Sequence, residues 1–127
     1  MSKSVVYSQY APEAIGPYSQ AIMAGNMLFV SGQIAIQRST GKLITGNIEE
    51  ETTQVMINLS EILKVAGLSF NDVVKCSIFL SDMKDFAKVN EIYGQYFLDS
   101  PPARETVEVS RLPKDVNVEI SCIALKS

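Results

Sequence analysis

Apolar residues alternate or run in short blocks along most of the 127-residue chain, and turn residues separate the blocks. "KSVVYS" alternates briefly and predicts an edge strand. "AIMAGNMLFVSGQI" reads as strand, Gly25-Asn26 turn, strand, which is a hairpin signal. The loop before it, "APEAIGPYSQ", is punctuated by Pro12, Gly16 and Pro17, and "STGK" marks another turn. From Asn47 to Gly67 the pattern changes to a helical period, with Val55, Leu59, Ile62, Leu63 and Ala66 on one stripe. Asn47 is placed as N-cap with Glu50 three positions on, a capping-box arrangement. Glu49, Glu50 and Glu51 fall where the helix dipole favours negative charge, so the acidic run reads as helix-start chemistry rather than a ligand site. Gly67 suits the left-handed position past the helix end.

"VVKCSIFL" predicts a strand, and its apolar content predicts burial on both faces. Asp82 caps a second helix, over about Met83 to Leu98, with Phe86, Val89, Tyr93 and Phe97 as its stripe. Pro101-Pro102 ends it. "RETVEV" and "VNVEISCIAL" are two further strands, joined by the turn "SRLPKD". The order β-β-β-α-β-α-β-β predicts an α+β fold: one domain over residues 1–127, a mixed sheet with two helices on one face. In the last strand Val116, Val118 and Ile120 are apolar on one parity, and Ile123 and Leu125 on the other. That pattern predicts burial against something outside the chain, and a homo-oligomer is the simplest candidate.

Composition narrows the chemistry. The chain has no histidine, so it holds no Ser-His-Asp triad and no Cys-His dyad. A zinc site would rest on carboxylates and two distant cysteines, a poor donor set. No phosphate-loop spacing is present. The net charge is −3, and lysine and arginine are scattered singly, which argues against nucleic-acid binding. No apolar stretch approaches the ~20 residues of a membrane helix, and the N-terminus lacks a signal-peptide core. A cytoplasmic protein with Cys76 and Cys122 as small core residues is the expectation.

The informative positions are polar residues in apolar surroundings. Asn90 lies beside the stripe of the second helix, either bonded to nearby backbone or facing a ligand. Glu119 sits mid-strand, either solvent-facing or in a site. Arg104 follows a rigid Pro-Pro, and its planar fork suits a carboxylate. Tyr18 lies in a Gly/Pro loop, and Ser31-Gly32 ends an apolar strand where backbone can approach a ligand. Together these residues describe a small acid-binding pocket with neither metal nor cofactor.

"APEAIGPYSQAI", "VSGQI", "FAKVNEIYGQYF" and "PPARETVEVSRLPKDVNVEI" resemble, in order, the signatures of the RidA (YjgF-like, reactive intermediate deaminase A) family, over nearly the whole chain. The resemblance implies a chorismate-mutase-like fold, a homotrimeric barrel assembly with the sheets facing inward, and pockets between subunits. It implies hydrolysis of 2-imino acids or their enamine tautomers, such as 2-iminobutanoate and 2-iminopropanoate, to 2-oxo acids and ammonia. Arg104 matches the carboxylate-binding arginine, and Glu119 the glutamate that helps hold the water. Tyr18, Ser31, Gly32 and Asn90 match pocket positions, and Thr106 a position offering chiefly backbone contacts. Glu105 stands where the family carries Ser or Thr, and strand alternation points it away from Arg104. A non-catalytic trimeric binder of 2-oxo acids would use the same residues. Ribonuclease, translation-inhibitor and chaperone-like roles have also been described among relatives. The acidic charge argues against the first two, and the third leaves no local signature.

Overall fold

The computed structural model describes residues 2–127. Its main sheet has six strands in the order β1-β2-β3-β8-β6-β7. The strands are β1 (Lys3–Val6), β2 (Ala21–Ala24), β3 (Met27–Gln33), β6 (Val73–Leu80), β7 (Ala103–Glu108) and β8 (Val118–Leu125). Neighbours are antiparallel except β6 and β7, which run parallel. Helices α1 (Ile48–Val65) and α2 (Phe86–Gly94) pack on each other and on the sheet. The fold is thus the expected α+β arrangement of a mixed sheet carrying two helices. A small extra hairpin, β4 (Ile36–Gln37) with β5 (Lys42–Leu43), surrounds the "STGK" turn and adds two strands to the predicted order.

Local chemistry accounts for most elements. Asn47 Oδ1 accepts the Glu50 N–H at 2.8 Å, although Glu50 returns no bond to Asn47 among the described residues. Gly67 takes φ 77° beyond the helix end, a conformation that costs glycine nothing. The α1 stripe of Val55, Leu59, Ile62 and Leu63 is fully buried against the sheet. Glu51 departs from expectation. It is completely buried, and its carboxylate accepts the Asn117 N–H and side-chain amide, each at 2.7 Å, and the Val118 N–H at 3.2 Å. It does more than complement the helix dipole: it ties the start of α1 to the start of β8. Glu51→Ala leaves three N–H donors without this acceptor and is expected to cost about 2–4 kcal/mol. Urea denaturation measures this, and a change below about 0.5 kcal/mol would refute the tie.

The second helix is shorter than its pattern. A 3-10 turn at Met83–Asp85 follows the Asp82 cap, and α2 ends at Gly94, after which N–H groups bond three residues back. Val89, Tyr93 and Phe97 are buried, whereas Phe86 faces outward at 37 % exposure, beside Arg104. "SRLPKD" turns as read, through a 3-10 turn at Pro113–Asp115, and the strands it joins are not neighbours, because β6 lies between β7 and β8. It bends through Lys114 and Asp115, with φ 55° and 56°, a strained conformation for non-glycine residues.

One sheet face is buried beneath the helices through Cys76, Ile78, Val118, Ile120 and Cys122. Cys76 and Cys122 are register partners and both are free thiols. Burial pushes both thiols up from the usual cysteine range. The other face is open within one chain, so β6 is buried on one side only, contrary to its sequence pattern. There Phe29, Val107 and Leu125 remain 44 %, 40 % and 39 % exposed, and Ile123 pairs with Phe29.

Candidate active site

Arg104 lies on the helix-side face of edge strand β7, in register with buried Cys76. One guanidinium nitrogen donates to Asn90 Oδ1 at 2.6 Å. The guanidinium carbon stands 5.1 Å from the Tyr93 ring centroid and 5.7 Å from that of Phe86. Phe86, Asn90 and Tyr93 follow one another at helical spacings of four and three, so α2 presents them on one face, and that face grips the arginine. Among the described residues Arg104 makes no ion pair. A fixed, partly buried cation without a carboxylate is poised to take an anionic ligand. Thr106 is two residues on along the same face, and its buried hydroxyl has no partner among the described residues.

Glu105 alternates to the opposite face, as its place in the strand predicts. Its carboxylate pairs with Lys75 at 2.9 Å and accepts the Ser77 hydroxyl. The Ser77 bond, and then Lys75, hold it below the usual carboxylate range. It therefore does not neutralise Arg104.

A second group assembles elsewhere. Tyr18, Ser31, Gly32 and Glu119 border one cavity of about 340 Å3. Ser31 donates its hydroxyl to Ser19 O at 2.7 Å, and its N–H to Gln20 O at 2.9 Å, which joins β3 to the Tyr18 loop. That loop is pinned from within: the buried Gln20 amide donates to Ser8 O, Ala11 O and Pro12 O and accepts the Ser8 N–H. Arg38 adds bonds to Ala11 O and Glu13. Sequence reading missed Gln20 and Arg38; for Gln20 the polar pair Ser8 and Gln20 bracketing a glycine- and proline-rich loop was the available signal, whereas Arg38 reaches that loop only through the tertiary fold.

Glu119 lies between buried Val118 and Ile120, so it points to the open face. Its carboxylate accepts no hydrogen bond among the described residues, and burial raises its pKa above the usual glutamate value. It lies over Gly32: a Cβ there would come 2.8 Å from the Glu119 carboxyl carbon. Gly32→Ala is expected to displace the carboxylate, lowering any turnover that depends on Glu119 about 100-fold while changing stability by less than about 1 kcal/mol. Turnover and thermal unfolding, measured together, separate this from misfolding; wild-type turnover would show that the space above Gly32 is not needed.

The chain thus brings Arg104, Asn90 and Thr106 together on one sheet face, and Tyr18, Ser31, Gly32 and Glu119 together at a separate cavity. Register places Arg104 opposite Cys76 and Glu119 opposite Phe79, with β6 between β7 and β8. Their backbones are therefore about 10 Å apart across the sheet and about 10 Å along it, with side chains on opposite faces. A small acid cannot touch both within one chain. The described residues contain no cluster of three or more His, Cys, Asp or Glu side chains suited to a metal ion. None of their helices is long and apolar enough to cross a membrane.

Comparison with known proteins agrees with this architecture. A RutC family protein of Pyrococcus horikoshii is 56 % identical over 98 % of each chain. The 2-iminobutanoate/2-iminopropanoate deaminase of Mus musculus is 47 % identical over 98 % of this chain and 92 % of its own. The crystal structure of E. coli TdcF with bound serine superposes with a TM-score of 0.93 at 41 % identity, covering 98 % of this chain and 99 % of that one. The family model described as Endoribonuclease L-PSP matches residues 8–126, and the chain therefore belongs to that family, which is also known as the YjgF or RidA family.

Proposed function

We propose that the protein is a cytoplasmic hydrolase that converts reactive 2-imino acids, 2-iminobutanoate and 2-iminopropanoate among them, to 2-oxo acids and ammonium. In this reading its sites lie between the subunits of a homotrimer, each pairing Arg104 of one copy with the Glu119 cavity of the next. The observation that carries it is the division of the site: a held, unpaired arginine fork on one face and a raised-pKa glutamate in a cavity on another. The apolar open face, with Phe29, Val107 and Leu125 uncovered, supplies the surface for that assembly.

The reaction balances as R–C(=NH2+)–COO− plus H2O giving R–CO–COO− plus NH4+. Arg104 holds the substrate carboxylate through two N–H donors, while Asn90 and the Tyr93 ring keep the fork from turning. The iminium carbon is already electrophilic, so orientation is the main requirement. Glu119 takes a proton from water as its oxygen bonds to that carbon and passes it to nitrogen; the C–N bond then breaks to release NH3 as the hydroxyl becomes the carbonyl, and the hydroxyl proton passes through Glu119 to the ammonia, giving NH4+. Burial raises the Glu119 carboxyl above the usual glutamate range, which makes it a better proton acceptor than an exposed carboxylate. No step calls for a metal or cofactor.

The test is competition for the imine. Threonine dehydratase releases 2-iminobutanoate, semicarbazide traps it, and the protein is expected to suppress semicarbazone formation catalytically. The bound serine of E. coli TdcF favours a second reading, a binder of small amino or oxo acids without turnover. Binding of 2-oxobutanoate with unaltered semicarbazone formation would establish that reading instead.

A further inference from the structure

We infer that the Lys75–Glu105 ion pair governs the association of this chain with further copies of itself, as a pair of charges that the assembled interface covers. The inference rests on the inter-subunit reading above and deepens it by naming residues, outside the substrate site, on which assembly depends. Strand register lays the pair out on the open sheet face. Ser121, Ser77 and Glu105 form one row across β8, β6 and β7, and Lys75 stands two residues before Ser77 on the same face. Lys75 Nζ reaches the Glu105 carboxylate at 2.9 Å along the diagonal between β6 and β7. Ser77 donates its hydroxyl to the same carboxylate. Apolar positions flank this polar strip in both directions along the strands, Phe29 beside Ile123 on one side and Phe79 beside Val107 on the other. The two charges therefore stand in the middle of an otherwise apolar surface. Glu105 is also a position at which this chain departs from the family pattern.

Left open to water, such a pair contributes little, because solvent and salt screen it. Beneath a second protein surface the same pair becomes indispensable. Each charge loses its water there, and only the opposite charge replaces it. Removing one partner then leaves the other buried and unpaired, whereas removing both leaves no charge to satisfy. A second copy is the partner that this face fits. Lys75 and Glu105 cancel, so the strip selects neither an acidic nor a basic partner. It lets chains that each carry a net charge of −3 meet without adding repulsion at the contact. In the proposed reading the Arg104 and Glu119 halves of the site, on opposite sheet faces, also meet only where copies adjoin.

The experiment follows particle mass on dilution by sedimentation equilibrium, with a circular dichroism spectrum of each variant recorded alongside. One sub-denaturing urea concentration, the same for all variants, brings the wild-type dissociation midpoint into range. Glu105→Gln leaves Lys75 unpaired, and Lys75→Met leaves Glu105 unpaired. Each is expected to raise the concentration at which the assembly dissociates at least about 100-fold. The separated chains should stay folded, because both side chains are partly exposed within one chain. Lys75→Met combined with Glu105→Gln removes both charges and is expected to return the midpoint to within about tenfold of wild type. That recovery separates lost pairing from misfolding. Single variants that assemble as wild type does, or a double variant that assembles as poorly as the singles, would overturn the inference and leave the inter-subunit reading in place. A wild-type chain that is monomeric at every concentration, without urea, would overturn both. The readout is mass rather than turnover, so it decides the role of the pair whether or not imines are hydrolysed.

Discussion

Arg104→Ala is expected to lower kcat/KM for 2-iminobutanoate at least about 100-fold, the loss that follows from leaving a bound carboxylate without its charged partner. The effect should appear in both binding and turnover, because in the proposed mechanism the arginine holds the substrate in the ground state and through the transition state. Arg104→Lys keeps the charge but loses the fork, the Asn90 bond geometry and the stacking on Tyr93 and Phe86. It should recover only a small part of the activity. The fold should survive both changes, since the arginine stands on an edge strand and its aromatic contacts contribute about 1 kcal/mol each. Activity within about twofold of wild type in Arg104→Ala would remove the anchor role.

Mixing two inactive variants is expected to restore activity. Arg104→Ala keeps a sound Glu119 cavity, and Glu119→Gln keeps a sound arginine. If the sites lie between the subunits of a trimer, as proposed, each site draws its arginine from one copy and its glutamate from another. About a third of the sites in trimers that contain both chains then combine two intact halves, so the purified mixed species should reach about a third of wild-type activity. Co-expression of the two chains under separate tags, purification of the mixed species and the semicarbazide competition give the number. If one chain supplied both residues, the mixture would stay as inactive as its parents. The opposite-facing placement of Arg104 and Glu119 on β7 and β8 is the physical basis for recovery.

Several of these conclusions were legible residue by residue. The apolar stripe and the Asn47 cap defined α1 because helical period and capping act within a few residues. Alternation placed Glu105 on the face opposite Arg104, since strand side chains reverse at every step. Asn90 stood out as an amide between two aromatic stripe positions, and in the structure it bonds Arg104. The end of α2 was harder to read, because an unbroken apolar period continues to Phe97 while the backbone has already tightened to bonds three residues back. The tiny β4–β5 hairpin carries too few residues to form a pattern.

Residue order alone was enough for the kinds and order of the main elements, the residues with chemistry to offer, and the absence of histidine from any mechanism. Those properties depend on neighbours along the chain. Only the tertiary structure decided that β7 runs parallel to β6, that Glu51 is a buried tie to β8, and that the space above Gly32 belongs to Glu119. It also decided that the arginine and the glutamate occupy opposite faces of the sheet. Strand pairing joins residues far apart in sequence, and the face on which a side chain emerges has meaning only once the partners of that face are known.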